Sequence, residues 1–280
     1  AVSGDRIVGE YFPGPRAFLF QGGLGGGAYT QLDFPGSTTG MATAGTTLLA
    51  GCDRLFEGDT MRPLLDFGQM LSYNAHRLLL AHQPLVREYS MDDISPDFPS
   101  NGTAMPSGSA YFDLITTNFE NWRLQVDGLV KNPLSVSLEE IRAMPQRSQI
   151  TQHSCDEGWT AIGEWTGVPL AHLLNMAGLQ PEARYIVFHC LDEMTSGDFY
   201  YESIDLFAAF HPQTILAYGM NGGGLPIRHG APLRLRVEYQ VGYKNAKFVT
   251  RVEAVDRLNM FGRGKGGYWP DRGYQWYAGL

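Results

Sequence analysis

Over residues 59–80 apolar side chains recur at Leu64, Phe67, Leu71 and Leu78, with Pro63 near the start. That near-helical spacing predicts a helix with one apolar face, used for packing or for a partner. Residues 95–109 are rich in Pro, Ser and Gly and predict a loop. From Tyr111 onward the period shortens. Residues 122–127 alternate as a half-buried strand does, and Lys131-Asn132-Pro133 follows as a turn. Ser137 and Glu140 form a capping box that starts a short helix ending before Pro145. Residues 148–153 read as a strand running into Cys155. Pro169 and Gly178 bracket a second short helix. Residues 184–190 read as a buried strand, 214–220 and 233–238 as two more around the turn Asn221-Gly222-Gly223-Gly224, and 247–255 as another. The tail is aromatic and Gly-rich, with Tyr268, Trp269, Tyr274, Trp276 and Tyr277. Strands dominate and helices are short, so the class predicted is α+β with mixed β-sheets, not a doubly wound sheet.

Composition narrows the function. The chain has 280 residues, 44% of them hydrophobic and 18% charged, which is ample for a packed core. Its formal charge of -8 makes it a poor nucleic-acid binder, because phosphate contacts need basic surface. The cysteines at 52, 155 and 190 cannot build a disulfide framework and leave a thiol unpaired. No apolar run approaches the ~18 residues of a membrane span. Residues 1–58 form a Gly-rich arm, 59–94 a helical lead-in, and 95–280 the main domain. Within the arm, Leu48-Leu49-Ala50-Gly51-Cys52 is similar to a lipobox. Arg16-Ala17-Phe18-Leu19 is similar to half of a twin-arginine export motif, with Pro15 in place of the other Arg. The stretch between them is too rich in Gly and Thr for a good signal core. The arm reads either as a vestigial export or lipoprotein signal or as a plain Gly-rich extension.

Several motifs bear on chemistry. Residues 262–267 match GxGxxG, but Tyr268-Trp269-Pro270 is a poor helix start, so a loop over a cofactor is the better reading than a dinucleotide cradle. His153, Cys155, His189 and Cys190 offer zinc-type ligands without zinc-finger spacing. Cys190 ends an apolar strand, as inert buried thiols do. Cys155 ends a strand beside Asp156 and Glu157, whose charges oppose a free thiolate. Coordination to a soft metal would deprotonate it outright. Arg234, Arg236, Lys244 and Lys247 cluster around a tight turn at His229 in an otherwise acidic chain, which points to an anionic ligand.

Taken in order, these residues carry a family resemblance over about residues 95–280. The segments are Asn101-Gly102-Thr103, the strand from Trp122, and Gln149-Ile150-Thr151-Gln152-His153-Ser154-Cys155-Asp156-Glu157-Gly158-Trp159. Then come Trp165-Thr166-Gly167-Val168-Pro169-Leu170, Tyr200-Tyr201-Glu202-Ser203-Ile204, His211-Pro212, the turn from His229 to Arg234, and Gly242-Tyr243-Lys244-Asn245-Ala246-Lys247. The chain resembles the molybdopterin-dependent oxidoreductases of the sulfite oxidase fold. Within them it is most similar to the bacterial branch that includes the catalytic subunit of the periplasmic methionine sulfoxide reductase. The resemblance implies that Cys155 ligates molybdenum beside the pterin dithiolene. It implies that Asn101, His229 and Arg234 contact the pterin and its phosphate, and that Asn245, Ala246 and Lys247 close over the phosphate. It places Cys190 and its neighbour Asp192 in the cofactor pocket. Glu157 becomes a candidate proton donor, with a helix cap or a surface pair with Arg as the structural alternative. His153 either orients the ligand loop or is a hydrogen-bonded core histidine.

The implied activity is oxygen-atom transfer by a molybdenum–molybdopterin cofactor, to or from a small molecule. No Arg neighbours Cys155 in sequence, so a reductase is favoured over sulfite oxidation. No CxxCH haem motif is present. Electrons would therefore pass through a separate redox protein, such as a membrane haem or quinone-linked subunit. The relatives implied are periplasmic or membrane-associated, with an organellar membrane complex as the other setting. Two other classes stay open: an accessory or structural subunit that retains the fold, and a zinc protein.

Overall fold

The structure, a computed structural model, describes residues 84–195 and 197–280 throughout. Before them it describes the backbone of four strands and one helix, with that helix's side chains from Phe67 onward. The chain divides into two compact units, one of residues 8–76 and one of Ala1–Ile7 with Arg77–Leu280. The lipobox-like segment with Cys52 and the Gly-rich run at 22–27 lie outside the described residues.

In the smaller unit, β3 (Arg16–Gln21) pairs antiparallel with β4 (Ala28–Asp33), so the export-like residues 16–19 lie in a strand. The helix α1 (Arg62–Leu79) matches the predicted helix to within a few residues at its start. It leaves Phe67, Met70, Leu71 and Leu78 exposed. In the larger unit β1 (Val2–Ser3) pairs with β2 (Arg6–Ile7). Among the described residues no helix is long and apolar enough to cross a membrane.

Two five-stranded sheets make the core of the larger unit. The first runs β10 (Asp198–Asp205), β9 (Tyr185–Thr195), β14 (Val249–Val255), β5 (Arg123–Gly128), β6 (Leu134–Ser137). The β14–β5 pair is parallel and its other pairs are antiparallel, so the sheet is mixed as predicted. The second runs β12 (Gly223–Gly224), β11 (Ile215–Met220), β8 (Thr160–Pro169), β7 (Arg147–Ser154), with β13 (Arg234–Arg236) also on β11.

The helices are short: α2 (Ser109–Thr116), α3 (Leu138–Ala143), α4 (Leu170–Ala177) and α5 (Leu206–Ala209). The capping box at α3 is present: the Glu140 backbone N–H donates to Ser137 Oγ at 3.1 Å, and Glu140 Oε2 accepts from the Ser137 N–H at 2.7 Å. At the end of α4, Gly178 takes a left-handed φ of 67°, a conformation that favours glycine.

The strand predicted over 233–238 is shorter, because after Arg236 the buried chain leaves the ladder to build loops. The strand predicted over 184–190 runs on to Thr195. β8 and β10 complete the two sheets without having been predicted. β8 buries Ala161, Gly163, Trp165 and Gly167 alternately, an inward face that two glycines make weakly apolar. β10 buries Glu202 and Ser203 within a run that does not alternate at all.

Candidate functional site

β7 turns the usual rule inside out. Its inward residues are Gln149, Thr151 and His153, all at most 2% exposed. A strand that buries a polar face needs partners there; Gln149 and His153 find them, while Thr151 Oγ1 has none. Gln149 Nε2 donates to Glu238 Oε1 at 2.7 Å. Glu238 is paired in turn with Arg236, with both side chains at most 1% exposed. Arg236 Nη1 donates to His153 Nδ1 at 2.7 Å. The Arg236 and Arg234 guanidinium groups lie 4.4 and 4.8 Å from the ring centroid of Trp165, which carries both cations.

Beyond β7 the chain makes a tight turn. The Cys155 N–H donates to the Trp159 carbonyl at 2.9 Å and the Gly158 N–H to the Cys155 carbonyl at 3.1 Å. This fixes Cys155 at the strand end, 8% exposed, with its thiol 3.6 Å from Asp156 Oδ1. Burial, reinforced by Asp156 and Glu157, pushes the thiol up to about 12, so it does not ionise unaided near neutral pH. Glu157 neither caps a helix nor pairs with an arginine. Its Oε2 accepts from the Trp159 indole N–H at 3.0 Å.

A pocket opens next to this turn. Of the residues singled out from sequence, Asn101, Glu157, Asp192, Asn245, Ala246 and Lys247 line it. Gly242 lines it too, and here glycine is required by a close approach. A Cβ at Gly242 would lie 3.2 Å from Cys155 Sγ and 3.0 Å from His153 Nε2. Cys155 therefore sits against the wall that Gly242 forms. Cys155, Cys190, His229 and Arg234 do not line the pocket, though each is buried.

The loops are knitted by their cations. Arg234 donates from Nη1 to the His229 carbonyl at 3.0 Å and from Nη2 to the Asn245 carbonyl at 3.2 Å. Asn245 Oδ1 accepts from the Val237 N–H at 2.8 Å, and the Ala246 carbonyl accepts from the Leu235 N–H at 2.8 Å. Lys247 Nζ donates to the carbonyls of Asn101 at 2.6 Å, Arg228 at 3.2 Å and Thr103. Burial and the Arg234 charge push Lys247 down to about 7. Burial, with Arg234, Arg228 and Lys247 nearby, pushes His229 down to about 3. Asp192 is 3% exposed, and burial raises its carboxyl to about 6 against the pull of Lys247. Burial, with Asp192 and Glu202 nearby, raises Cys190 as well.

Buried polar atoms here that lack a partner include His153 Nε2, Arg234 Nε and Asp192 Oδ1, together with Thr151 Oγ1 and Trp165 Nε1. So many open polar atoms in one region are unusual in a packed interior.

Some expectations change. The four cations do not form one anion site. Only Lys247 reaches the pocket, while Lys244 pairs with buried Glu202 and Arg236 with Glu238, because a buried charge needs a counter-charge. The GxGxxG loop is closed on itself: Asp271 accepts the N–H groups of Arg263 and Lys265 at 2.8 and 2.9 Å. Of that region only Trp269 reaches the pocket. Among the described residues no three of His, Cys, Asp or Glu come together as a metal cluster, which leaves the zinc reading without a site there. Met194, Tyr200, Tyr243 and Trp269 also line the pocket, with Gly102, Thr103 and Asp156, and those four were not singled out as site residues. They come from loops and strand ends, where periodicity gives no signal.

Comparison with known proteins agrees with the sequence resemblance. Residues 112–260 match the family described as the oxidoreductase molybdopterin binding domain. The chain is 32% identical over 290 residues to a protein named as methionine-sulfoxide reductase subunit YedZ1 in Azospira oryzae, covering 99% of this chain and 96% of that one. It is 35% identical to the protein-methionine-sulfoxide reductase catalytic subunit MsrP of Ralstonia nicotianae, over 49% of this chain and 44% of that one. With the MsrP of Campylobacter jejuni it shares 31% identity over 49% and 50% of the two chains. The match thus spans nearly all of the first relative and half or less of the two catalytic subunits. Among solved structures, the sulfane dehydrogenase SoxCD of Paracoccus pantotrophus superposes with a TM-score of 0.45 and 26% identity, covering 49% of this chain and 39% of that one.

Proposed function

The chain belongs to the oxidoreductase molybdopterin binding family, and from that premise we propose that it reduces methionine sulfoxide in proteins, with Cys155 as the protein ligand to molybdenum. The family's cofactor supplies two-electron oxygen-atom chemistry when bound. The residues present fit such a group. Cys155 offers a soft sulfur that becomes a ligand only when a metal displaces its proton. Nearby, Arg234 Nε is an open donor. A polar, anionic pterin supplies the acceptor that it lacks, which an accessory subunit without cofactor would leave uncompensated.

The choice of substrate rests on one observation, the charge of the pocket. Asp156, Glu157 and Asp192 line it, and its one cationic lining residue, Lys247, is bound to three carbonyls. Arg234 and Arg236 are held by internal partners. Once Lys247 is taken up by the pterin phosphate, the remaining acidic lining of Asp156 and Glu157 disfavours a second anion like sulfite. It suits a neutral sulfoxide on a thioether side chain, and Met194, Tyr200, Tyr243 and Trp269 provide apolar surface for that chain. The names of the relatives point the same way.

Deoxygenating a sulfoxide to a thioether and water takes up two protons with two electrons. Glu157, fixed by the Trp159 indole, is the assigned proton donor on the pocket wall. Asn101, His229, Arg234, Asn245, Ala246 and Lys247 hold the pterin and its phosphate, and Cys190 and Asp192 lie beside them. The catalytic domain is placed within residues 95–280. A separate redox subunit supplies the electrons, and the setting is periplasmic or membrane-associated.

The test is a pair of assays on the molybdenum-loaded chain. Reduced viologen should be oxidised when a peptide bearing methionine sulfoxide is added, and sulfite should not be consumed with an artificial electron acceptor. Sulfite turnover without sulfoxide reduction would overturn the substrate assignment.

A further inference from the structure

We propose that His153 is a positioning residue that donates a hydrogen bond from Nε2 to the Cys155 sulfur once that sulfur is a metal-bound thiolate. The inference rests on Cys155 being the ligand, and it assigns the role of a residue that the pocket itself does not display.

The first link is the tautomer. A guanidinium has donors and no acceptor. Because Arg236 Nη1 donates to His153 Nδ1 at 2.7 Å, Nδ1 must present its lone pair. The proton of the neutral ring is then on Nε2. Arg236 is itself fixed by Glu238, and Glu238 by Gln149, all of them buried. The ring therefore cannot turn over without breaking a chain of buried charged contacts.

The second link is where Nε2 points. It has no partner and His153 is 2% exposed, so an N–H is left unsatisfied in the interior. It borders the space above Gly242, since the point that a Cβ there would occupy is 3.0 Å from His153 Nε2 and 3.2 Å from Cys155 Sγ. With no side chain at Gly242, the donor and the sulfur border one shared gap.

The third link is a change of partner. As a thiol, Cys155 donates toward Asp156 Oδ1 at 3.6 Å. Metal ligation removes that proton. The sulfur then becomes an acceptor, and its contact with the Asp156 carboxylate turns repulsive. His153 Nε2–H, across the gap, answers that new need. A hydrogen bond to a metal-bound sulfur draws electron density from the metal and favours its reduced state.

The experiment compares wild type with His153→Phe, which keeps a ring and removes the donor, and His153→Gln, which restores an N–H at similar reach. Molybdenum content is measured first, then the midpoint potential of the metal by redox titration followed by electron paramagnetic resonance. The expectation is a lower potential in His153→Phe and recovery toward wild type in His153→Gln. Should His153→Phe lose its fold or its metal, His153→Leu, which is smaller and also lacks the donor, is read in its place; its potential should fall as well. Nitrogen-15 resonances of the imidazole should show a protonated Nε2 in the cofactor-free protein. A protonated Nδ1, or full molybdenum with an unshifted potential in the variant read, overturns the role of His153 alone. A wild-type chain from a cofactor-competent host that holds no molybdenum overturns the ligand assignment and this inference with it, while the tautomer result still stands as a fact about the fold.

Discussion

Replacing Asp192 by Asn should stabilise the cofactor-free protein at pH 7.5 and leave it nearly unchanged at pH 3.5. Asp192 is 3% exposed and its Oδ1 has no partner. Burial raises its carboxyl from 3.8 to about 6, more than the Lys247 charge and the Thr103 hydroxyl lower it. A raised folded pKa means that the native state keeps the proton across this interval while the unfolded chain has lost it. Stability therefore falls as pH rises from 3.8 through about 6, and stays lower above it. At roughly 1.4 kcal/mol per pH unit, the interval makes a penalty of about 3 kcal/mol. Asparagine has nearly the same shape and never ionises, so it escapes that penalty. Urea unfolding followed by circular dichroism at the two pH values reads the difference, with unchanged slope required for a clean comparison. An equal effect at both pH values, or a loss at pH 7.5, would refute the reasoning, since neither follows from a buried carboxylate.

His229 predicts the opposite slope: its folded pKa of about 3 lies below the ordinary 6.5, so stability is lost as pH falls between them. That loss is on the order of a few kcal/mol, and His229→Gln should flatten it in the same urea titration. Glu238→Ala strands the buried Arg236 charge and should cost about 3–5 kcal/mol, read as a lower urea midpoint. Cys155→Ser should abolish sulfoxide reduction. Cys190→Ala should keep activity and cost on the order of 1 kcal/mol; equal loss of activity and metal in both variants would contradict their separate roles.

Much of the frame was legible in the chain. Ser137 with Glu140 and Pro169 with Gly178 announce α3 and α4 through local capping chemistry, which does not depend on the rest of the fold. β8 and β10 were not legible, because glycines dilute the inward face of one and Glu202 and Ser203 are buried in the other. The position of Cys155 at a strand end could be read from the residues around it. The destination of the cations could not. Lys244 lies next to pocket residues in sequence, yet its partner Glu202 is brought to it by tertiary packing, and Arg236 is turned to Glu238 and His153 inside the fold. The polar inward face of β7 is the clearest case. Gln149, Thr151 and His153 alternate as a buried face would, but their polarity disguises them as the solvent side.

The central claim is that Cys155 holds the metal of this site, and X-ray absorption at the molybdenum edge tests it most directly. Wild-type protein purified from a host that makes the cofactor should show molybdenum with one more sulfur neighbour than the Cys155→Ser variant. An identical sulfur shell in both, or a metal other than molybdenum in the wild type, would contradict the account.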